Sequence, residues 1–532
     1  MHLNCLRTHS RMVSDCRMTI GFIMLIMFFS IALGMIGCST NPVTGKKELI
    51  LVSEEWELNV GKQQYSPSRQ SQGGDYFSDP QVQEYVKQVG QRLAAVSDRK
   101  LPYEFNVINS SVPNAWALPG GKIAINRGLL TELQSESELA AVLGHEIVHA
   151  AAKHGAKGMQ RGMLLQGGVI AATIATQGKP YSNLAQMGVS MGAQLINTKY
   201  GRDAERESDM AGIKYMSRAG YDPQGAVDLQ RTFVKLAEER RQDFLSGLFS
   251  SHPPSTERVQ NNIEHLALLP KGGEVGKERY QQKMAHLMET KPAYDAYKEA
   301  KKAFAEGDSA KAASLAKKAI SIEPQEGHFH SFLGDIAQKN NRLETAQRHY
   351  DRAISLNDNF FYYHLQRGLI SEKFNDNVDA KRFLENSLRL LPTSNAYNAL
   401  GNVFRSERQF GKAKSYYAKA AGHKSPAGEE ALASLVELDL PSNPGKYIRT
   451  RYGLGENAAV KVQLANTTPR DVTGIVIAIQ YPDSQGKLKQ IKRKVSGRLL
   501  AGKSKVLETE IKIDPRFVSR VKAAVVRARL TD

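Results

Sequence analysis

The sequence predicts a multidomain chain: a mainly α N-terminal domain with a small edge sheet, an α-solenoid arm, and a C-terminal β-sandwich. Three observations predict it. Residues 53–285 mix helical apolar spacing with three short extended segments. Residues 291–425 repeat with a period near 34. After Pro444 the apolar spacing drops to two. A chain of 532 residues is too long for one core. With 41% hydrophobic and 24% charged residues, wholesale disorder is excluded. The three cysteines, Cys5, Cys16 and Cys38, all lie near the N-terminus, so no intrachain disulfide forms beyond Cys38.

The first residues read as an address. Arg7, Arg11 and Arg17 precede an apolar run over 18–37, the pattern of a secretory signal. The run closes on Met35-Ile36-Gly37-Cys38, which resembles a bacterial lipobox, with Met35 where Leu is commoner. That resemblance implies a signal peptide over 1–37 and an acylated Cys38 that begins the mature chain. A run of this length can also span a bilayer, but the cysteine at its end and the lack of a later span favour the anchor. Ser39 after the cysteine implies, by the same resemblance, the periplasmic face of the outer membrane. The net charge of +18 is concentrated: residues 443–532 carry 19 Lys/Arg against 7 Asp/Glu. Export argues against a nucleic-acid role for that basicity.

Residues 53–100 read as helical, with Val82, Tyr85, Val86, Val89 and Leu93 on one face. Extended segments follow at Tyr103–Asn109, Asn114–Leu118 and Gly121–Asn126, with Pro119-Gly120-Gly121 as a turn. A helix then starts at Ser135. Ser135 and Glu138 form a capping box, Leu139, Val142, Leu143 and Ile147 form its apolar face, and Gly155 is its expected C-cap. The Gly- and Ala-rich stretch 158–197 reads as a helical hairpin, and 202–218 and 224–241 as two further helices.

Within 291–425, Gly334, Gly368 and Gly401 recur at 34 and 33 residues. Ala312, Ala346, Ala380 and Ala413 keep the same spacing, as do Ala319, Ala353, Ser387 and Ala420. Small residues recurring at this period are the tetratricopeptide signature, because they let paired helices approach closely. Ala300 stands at the glycine position of a degenerate first unit. Beyond 443, Val460, Val462 and Leu464 alternate with polar residues, and Ile475, Ile477 and Ile479 form a second such run. Lys487, Lys489, Lys492, Arg493 and Lys494 cluster there. Period-2 geometry puts Lys492 and Lys494 on one face and Arg493 on the other. Such a strand either blunts a sheet edge or faces an anionic leaflet.

The chemistry concentrates on the helix from Ser135, which carries His145-Glu146-Ile147-Val148-His149. Histidines four apart share one helical face, so both imidazoles reach one Zn²⁺ with Glu146 beside them. A third ligand is required. His154 lies about 140° round the same helix and is expected to face away, and Gly155 stands where a metzincin carries its third His. Glu205 is the better candidate, with Asp209 four residues on to orient a histidine.

HExxH, an E-x-x-x-D about 56 residues later and a His-Pro loop together resemble the gluzincin peptidases of the CAAX-prenyl-protease and HtpX type. The resemblance is to their periplasmic, β-barrel assembly-enhancing branch, which also carries tetratricopeptide repeats. Asn41-Pro42-Val43-Thr44-Gly45 and Asn114–Gly121 look like that branch too. Ser208 stands where Ala is usual. The resemblance covers about residues 38–430. It implies a zincin-like domain with one Zn²⁺ per chain on His145, His149 and Glu205, and Glu146 as general base. It also implies a loop histidine, His252, that stabilises the oxyanion or occupies the open coordination site and holds the enzyme latent. The segment at Asn114, Ala115 and Trp116 is expected to be an exposed edge strand pairing with an extended polypeptide substrate, or else an ordinary core hairpin.

The expected organisation is a signal peptide (1–37), a zinc metallopeptidase domain (38–285), tetratricopeptide repeats (291–425) and a basic sandwich (443–532). The expected function is a lipid-anchored periplasmic zinc endopeptidase acting on misassembled envelope proteins, with a protein partner on the repeats. The alternative is a repeat scaffold or chaperone with a latent peptidase.

Overall fold

The computed structural model describes residues 38–165, 200–239, 247–455 and 458–531. The apolar run over 18–37 lies outside the described residues, and so does most of the hairpin expected over 158–197. Among the described residues no helix is long and apolar enough to cross a membrane. The chain divides into two compact units, one up to Glu326 and one from Gly327.

The first unit opens with a hairpin, β1 (Cys38–Thr40) and β2 (Lys47–Leu49). Its turn is the Asn41–Gly45 motif. Asn41 Oδ1 accepts from Val43 N (2.9 Å), and Gly45 has φ 70°. Helix α1 (Glu54–Ser71) is capped by Ser53, whose side chain accepts from Trp56 N. Gly73 and Gly74, both at positive φ, end the helical run that the sequence suggested was continuous from 53 to 100. Helix α2 (Pro80–Ala94) then starts on Asp79 and buries Val82, Tyr85, Val86, Val89 and Leu93.

Strands β3 (Glu104–Ile108), β4 (Ala115–Leu118) and β5 (Lys122–Asn126) form one sheet in the order β3-β5-β4. β3 is parallel and β4 antiparallel to β5. Helix α3 (Glu136–Ala151) packs against this sheet and α2. The Ser135 side chain accepts from Glu138 N (3.2 Å), and Glu138 Oε2 accepts from Gln134 N (2.8 Å). The expected C-cap at Gly155 is corrected. α3 ends at Ala151, Lys153 adopts the left-handed conformation (φ 61°), and a new helix α4 (His154–Leu165) begins. Helices α5 (Arg202–Arg218) and α6 (Gln224–Glu238) pack against α3, and α7 (Thr256–Leu266) packs on both of them.

Helix α8 (Lys277–Ala305) belongs to two patterns. Its start is bound to the first unit through Arg279 on Glu136 and Tyr280 Oη on the Leu130 carbonyl. Its end pairs with α9 (Ser309–Ile322) as the first helical repeat. The second unit continues with α10 (Gly327–Lys339), α11 (Leu343–Leu356), α12 (Phe361–Lys373), α13 (Asn377–Leu390), α14 (Ser394–Ser406), α15 (Phe410–Ala421) and α16 (Pro426–Asp439).

The recurring glycines are explained by contact. A Cβ on Gly334 meets the Tyr350 ring at 2.7 Å, and one on Gly401 meets the Tyr417 ring at 2.4 Å. Ala312, Ala346, Ala380 and Ala413 are fully buried. The link between paired helices repeats as well: Gly307, Asn341, Asn375 and Arg408 all adopt positive φ.

After α16 come two three-stranded antiparallel sheets, with strands β6 (Ile448–Leu454), β7 (Ala459–Asn466), β8 (Val472–Pro482), β9 (Leu488–Lys494), β10 (Ser504–Lys512) and β11 (Lys522–Leu530). Their orders are β10-β7-β6 and β11-β8-β9. Val460, Val462 and Leu464 from one and Ile475, Ile477 and Ile479 from the other share a single core. Asp439 at the end of α16 accepts from Lys414, Lys446, Asn443 and Tyr447.

Asp335 on α10 gives a test of this unit. Burial pushes its carboxyl up to about 6, although the Tyr350 and Tyr362 hydroxyls donate to it. An unfolded Asp titrates near 3.9, so the folded state binds the proton more tightly. The resulting stability is full below about pH 4 and is lost as pH rises through about 6. Asp335→Asn keeps the acceptor without the buried charge. In thermal melts, variant and wild type should agree near about pH 4. By about pH 7.5 the variant should melt higher by a few degrees, at about 2–4 °C per kcal/mol.

Candidate metal centre

The site is built where α3 crosses α5. At the crossing, Gly144 faces Gly212: a Cβ on Gly212 comes within 3.1 Å of His145 N, and one on Gly144 within 3.3 Å of the Gly212 carbonyl. Two glycines therefore let the backbones approach closely. Glu205 and Asp209, two turns and one turn before Gly212, are carried against the His145–His149 face.

Four side chains converge there. His145 Nε2 and His149 Nε2 are 3.0 Å apart. Glu205 Oε2 lies 3.6 Å from the first, and Glu205 Oε1 lies 3.4 Å from the second. His252 follows a single turn, Leu248–Ser251, and brings Nδ1 to 3.0 Å from Glu205 Oε1 and 3.3 Å from His145 Nε2. One ligand atom from each of the four lies within 4.8 Å of all the others.

This set fits a zinc ion. Zinc–nitrogen bonds of 2.0–2.1 Å in a tetrahedron set ligand atoms about 3.3 Å apart, close to the spacings above. The donor chemistry fits too. Burial holds the His149 imidazole well below its usual range, in the neutral form that ligates. Burial pushes Glu205 up, but the His252 and His145 charges and hydrogen bonds from His149 and His252 outweigh it, keeping the carboxylate ionised.

Glu146 is fully buried beside these groups, and its Oε2 has no hydrogen-bond partner. Burial raises its affinity for a proton, opposed by His252 and His145. His252 Nε2 lies 3.6 Å from Glu146 Oε1. Burial pushes His252 down, but the Glu205 and Glu146 carboxylates raise it further.

Each histidine on α3 has an outer partner. His145 Nδ1 lies 2.9 Å from Asp209 Oδ1. Asp209 is gripped in turn by Arg258, whose Nε and Nη2 donate to its two oxygens at 2.7 Å. Arg258 also contacts Glu205 Oε2 (3.0 Å) and donates to the Pro253 carbonyl (3.2 Å), so one guanidinium fixes α5 and the His252 loop together. Sequence reasoning gave Arg258 no role. Its position on the helix after the His-Pro loop was the available signal.

The expectation that His154 faces away is corrected. The left-handed turn at Lys153 ends α3, so His154 returns toward the site and its Nδ1 lies 2.9 Å from His149 Nδ1. A metal ion held by His149 Nε2 would leave the proton on Nδ1, as donor to His154 Nδ1. The His154 proton would then be on Nε2, which lies 3.6 Å from Glu207 Oε1. Glu207 accepts from Asn41 Nδ2 at 2.8 Å. The Asn41 motif therefore reaches the metal centre through two side chains. Tyr200 stacks on the His149 ring with centroids 4.0 Å apart. Neither Tyr200 nor Glu207 carried a signal in the sequence.

The edge strand is also corrected. β4 is the edge of its sheet, yet Asn114, Ala115, Trp116, Ala117 and Leu118 are all buried. The Trp116 ring packs edge-on against Tyr65, in a core with Trp56 and Val60. This strand is not the exposed pairing edge that its sequence suggested.

The helical scaffold and its converging donors define an HExxH metallopeptidase-type domain. The family model described as Peptidase family M48 matches residues 80–266, and the chain belongs to that family. A tetratricopeptide repeat model matches residues 394–422. The "Putative beta-barrel assembly-enhancing protease" of Vibrio cholerae is 31% identical over 201 residues, covering 36% of this chain and 41% of that protein. The "Beta-barrel assembly-enhancing protease" of Yersinia pestis is 32% identical over 169 residues, covering 31% and 34%. "Metalloprotease YcaL" of Escherichia coli is 30% identical over 197 residues, covering 36% and 75%. The chain thus spans about two fifths of the Vibrio relative.

His154→Ala removes the acceptor for His149 Nδ1. Outer partners of this kind are worth about 10–100-fold in metal affinity. Competition against a chromophoric chelator should show weaker zinc binding in that range with unchanged helix content, and His154→Gln should recover part of it. Equal affinity would mean that His149 needs no such support.

Proposed function

We propose that the chain is a zinc endopeptidase, with His145, His149 and Glu205 holding one Zn²⁺ per chain. The carrying observation is the meeting of these donors at zinc-like spacing beside a buried carboxylate oxygen, Glu146 Oε2, that lacks a partner. A structural metal site has no need of that unpaired carboxylate. A zinc ion there would supply Lewis acidity for the scissile carbonyl. Glu146 Oε2 takes a proton from the attacking water as the carbon–oxygen bond forms, then passes it to the leaving nitrogen as the amide bond breaks. Asp209 and His154 keep the two imidazoles turned inward, and Arg258 holds Glu205 and Asp209 in place.

His252 is the element of regulation in this reading. With Nδ1 close to both Glu205 and His145, it fills the fourth donor position that a catalytic site keeps open. The resting enzyme is latent, and movement of the Leu248–Pro253 segment opens it. The same contact supports the second reading, a repeat scaffold or chaperone whose peptidase stays latent.

The location follows from the lipobox: Cys38 is acylated and tethers the chain to the periplasmic face of the outer membrane. The relatives named for β-barrel assembly support polypeptide substrates among misassembled envelope proteins. The helical repeats, assigned to residues 291–425, recruit a protein partner and do no chemistry, and the peptidase domain is assigned to 38–285. The two sheets after residue 443 form a separate basic sandwich.

Metal analysis and casein cleavage, with and without chelator, test this reading. Glu146→Gln should retain zinc and lose cleavage by at least about 100-fold, whereas His145→Ala and Glu205→Ala should lose the metal. His252→Ala should keep zinc and cleave several-fold faster. A Glu146→Gln protein as active as wild type overturns the mechanism. A wild type and His252→Ala that both hold zinc without cleaving support the scaffold.

A further inference from the structure

The two C-terminal sheets share one core but differ in charge. The sheet β10-β7-β6 mixes signs, and Lys461 pairs with Glu508 at 2.7 Å. Strands β8, β9 and β11 contain no Asp or Glu, while β9 and β11 carry Lys489, Lys492, Arg493, Lys494, Lys522, Arg527 and Arg529.

The register decides where these charges point. Ile477 and Ile479 face the core, so Val476, Ala478 and Gln480 face outward. On β9, Lys494 pairs with Val476 and Lys492 with Ala478. On β11, Lys522 pairs with Gln480 and Arg527 with Val476. Directly opposed residues share a face. A bulge between Val525 and Arg527 sets the strand so that Arg527 and Arg529 are both exposed. Lys492, Lys494, Lys522, Arg527 and Arg529 therefore form one outer surface, and none has an ion-pair partner among the described residues. Lys494, Arg527 and Arg529 line a shallow groove of about 330 Å³ beside Gly474 and Val476.

We propose that this outer face of β11-β8-β9 docks on an anionic phospholipid surface, with a headgroup phosphate in the groove. Blunting the two edges, β11 and β9, calls for charge but not for charge of one sign gathered on one face. Here Lys492, Lys494, Lys522, Arg527 and Arg529 all stand on the outer face, and the central strand supplies no anion to balance them. Two exposed apolar side chains, Leu488 (46%) and Val526 (45%), sit among the cations. That combination suits the interfacial layer of a membrane. A nucleic-acid strand needs aromatic platforms for its bases, and the single aromatic residue of these three strands, Tyr481, packs against the core. The face thus gives a second, electrostatic membrane contact that does not depend on Cys38.

The test uses the chain from Ser39 onward, which has no lipid attachment site, with vesicles of phosphatidylcholine alone or mixed with phosphatidylglycerol. The protein should sediment with the anionic vesicles only, and release as ionic strength rises from about 0.1 M to 1 M, where the screening length falls from about 10 to 3 Å. Arg527→Glu/Arg529→Glu should weaken partitioning more than about tenfold. Arg449→Glu/Arg451→Glu changes the net charge equally on the other sheet and should alter it less than about threefold. Both variants should melt like wild type. A third variant, Lys492→Gln/Lys494→Gln, gives the same reading with less risk to folding and should weaken binding several-fold. Equal binding to both vesicles, no binding to either, or equal loss in the Arg449/Arg451 variant overturns the proposal. Tighter binding to single-stranded DNA than to anionic vesicles overturns it in favour of nucleic acid.

Discussion

The distance between two helices governs most of the first unit. Gly144 and Gly212 let α3 and α5 approach until a side chain on either would strike the other's backbone. At that separation the carboxylates of Glu205 and Asp209 lie against His145 and His149. One more carbon atom at the contact would make the helices give by a few tenths of an ångström and shift the carboxylates against the imidazoles. Close packing transmits such a change because protein interiors have little free volume to absorb it. The capping of α3 at Ser135 and its burial against the sheet fix one partner of the crossing. The capping turn at Gly201 sets where the other begins.

Burying so many ionisable groups is tolerable only because they are paired. An isolated carboxylate in this environment would neutralise. Instead Asp209 has Arg258 and His145, and Glu205 has His145, His149, His252 and Arg258 within ion-pair distance. Glu146 keeps an oxygen with no hydrogen-bond partner. Strain of this kind concentrates where chemistry is done. The outer chain His149–His154–Glu207–Asn41 extends the same logic to the surface. It also explains why the turn between β1 and β2 carries an asparagine that is fully buried.

The second unit rests on a simpler rule. Each helical pair is closed by a glycine or alanine against an aromatic or leucine side chain, and by one residue in the left-handed conformation between the helices. Asparagine, which tolerates this conformation, serves at 341 and 375, whereas Arg408 adopts it without being a residue type that favours it. The helices end at Asp439, whose four donors join α16 to the start of β6. Beyond it, one sheet carries mixed charges and the other only positive ones.

The sequence alone determined the features written in local spacing. Two histidines four apart must share a helix face. Small residues every 34 positions must mark helix contacts, and alternating Val and Ile must mark strands. Ser135 was recognisable as a cap because its chemistry acts over three residues. The tertiary structure decided what depends on distant partners or on a single backbone torsion. His154 turned toward the site because Lys153 takes a left-handed conformation, which no residue preference in Ala-Ala-Lys-His signals. β4 is buried although it is an edge strand, since burial depends on what packs over it and not on its own residues. Arg258, Tyr200 and the Asn41–Glu207 contact join segments between 49 and 166 residues apart. Spacing rules reach only a few turns along a chain, so contacts across such distances become visible only when the chain is folded.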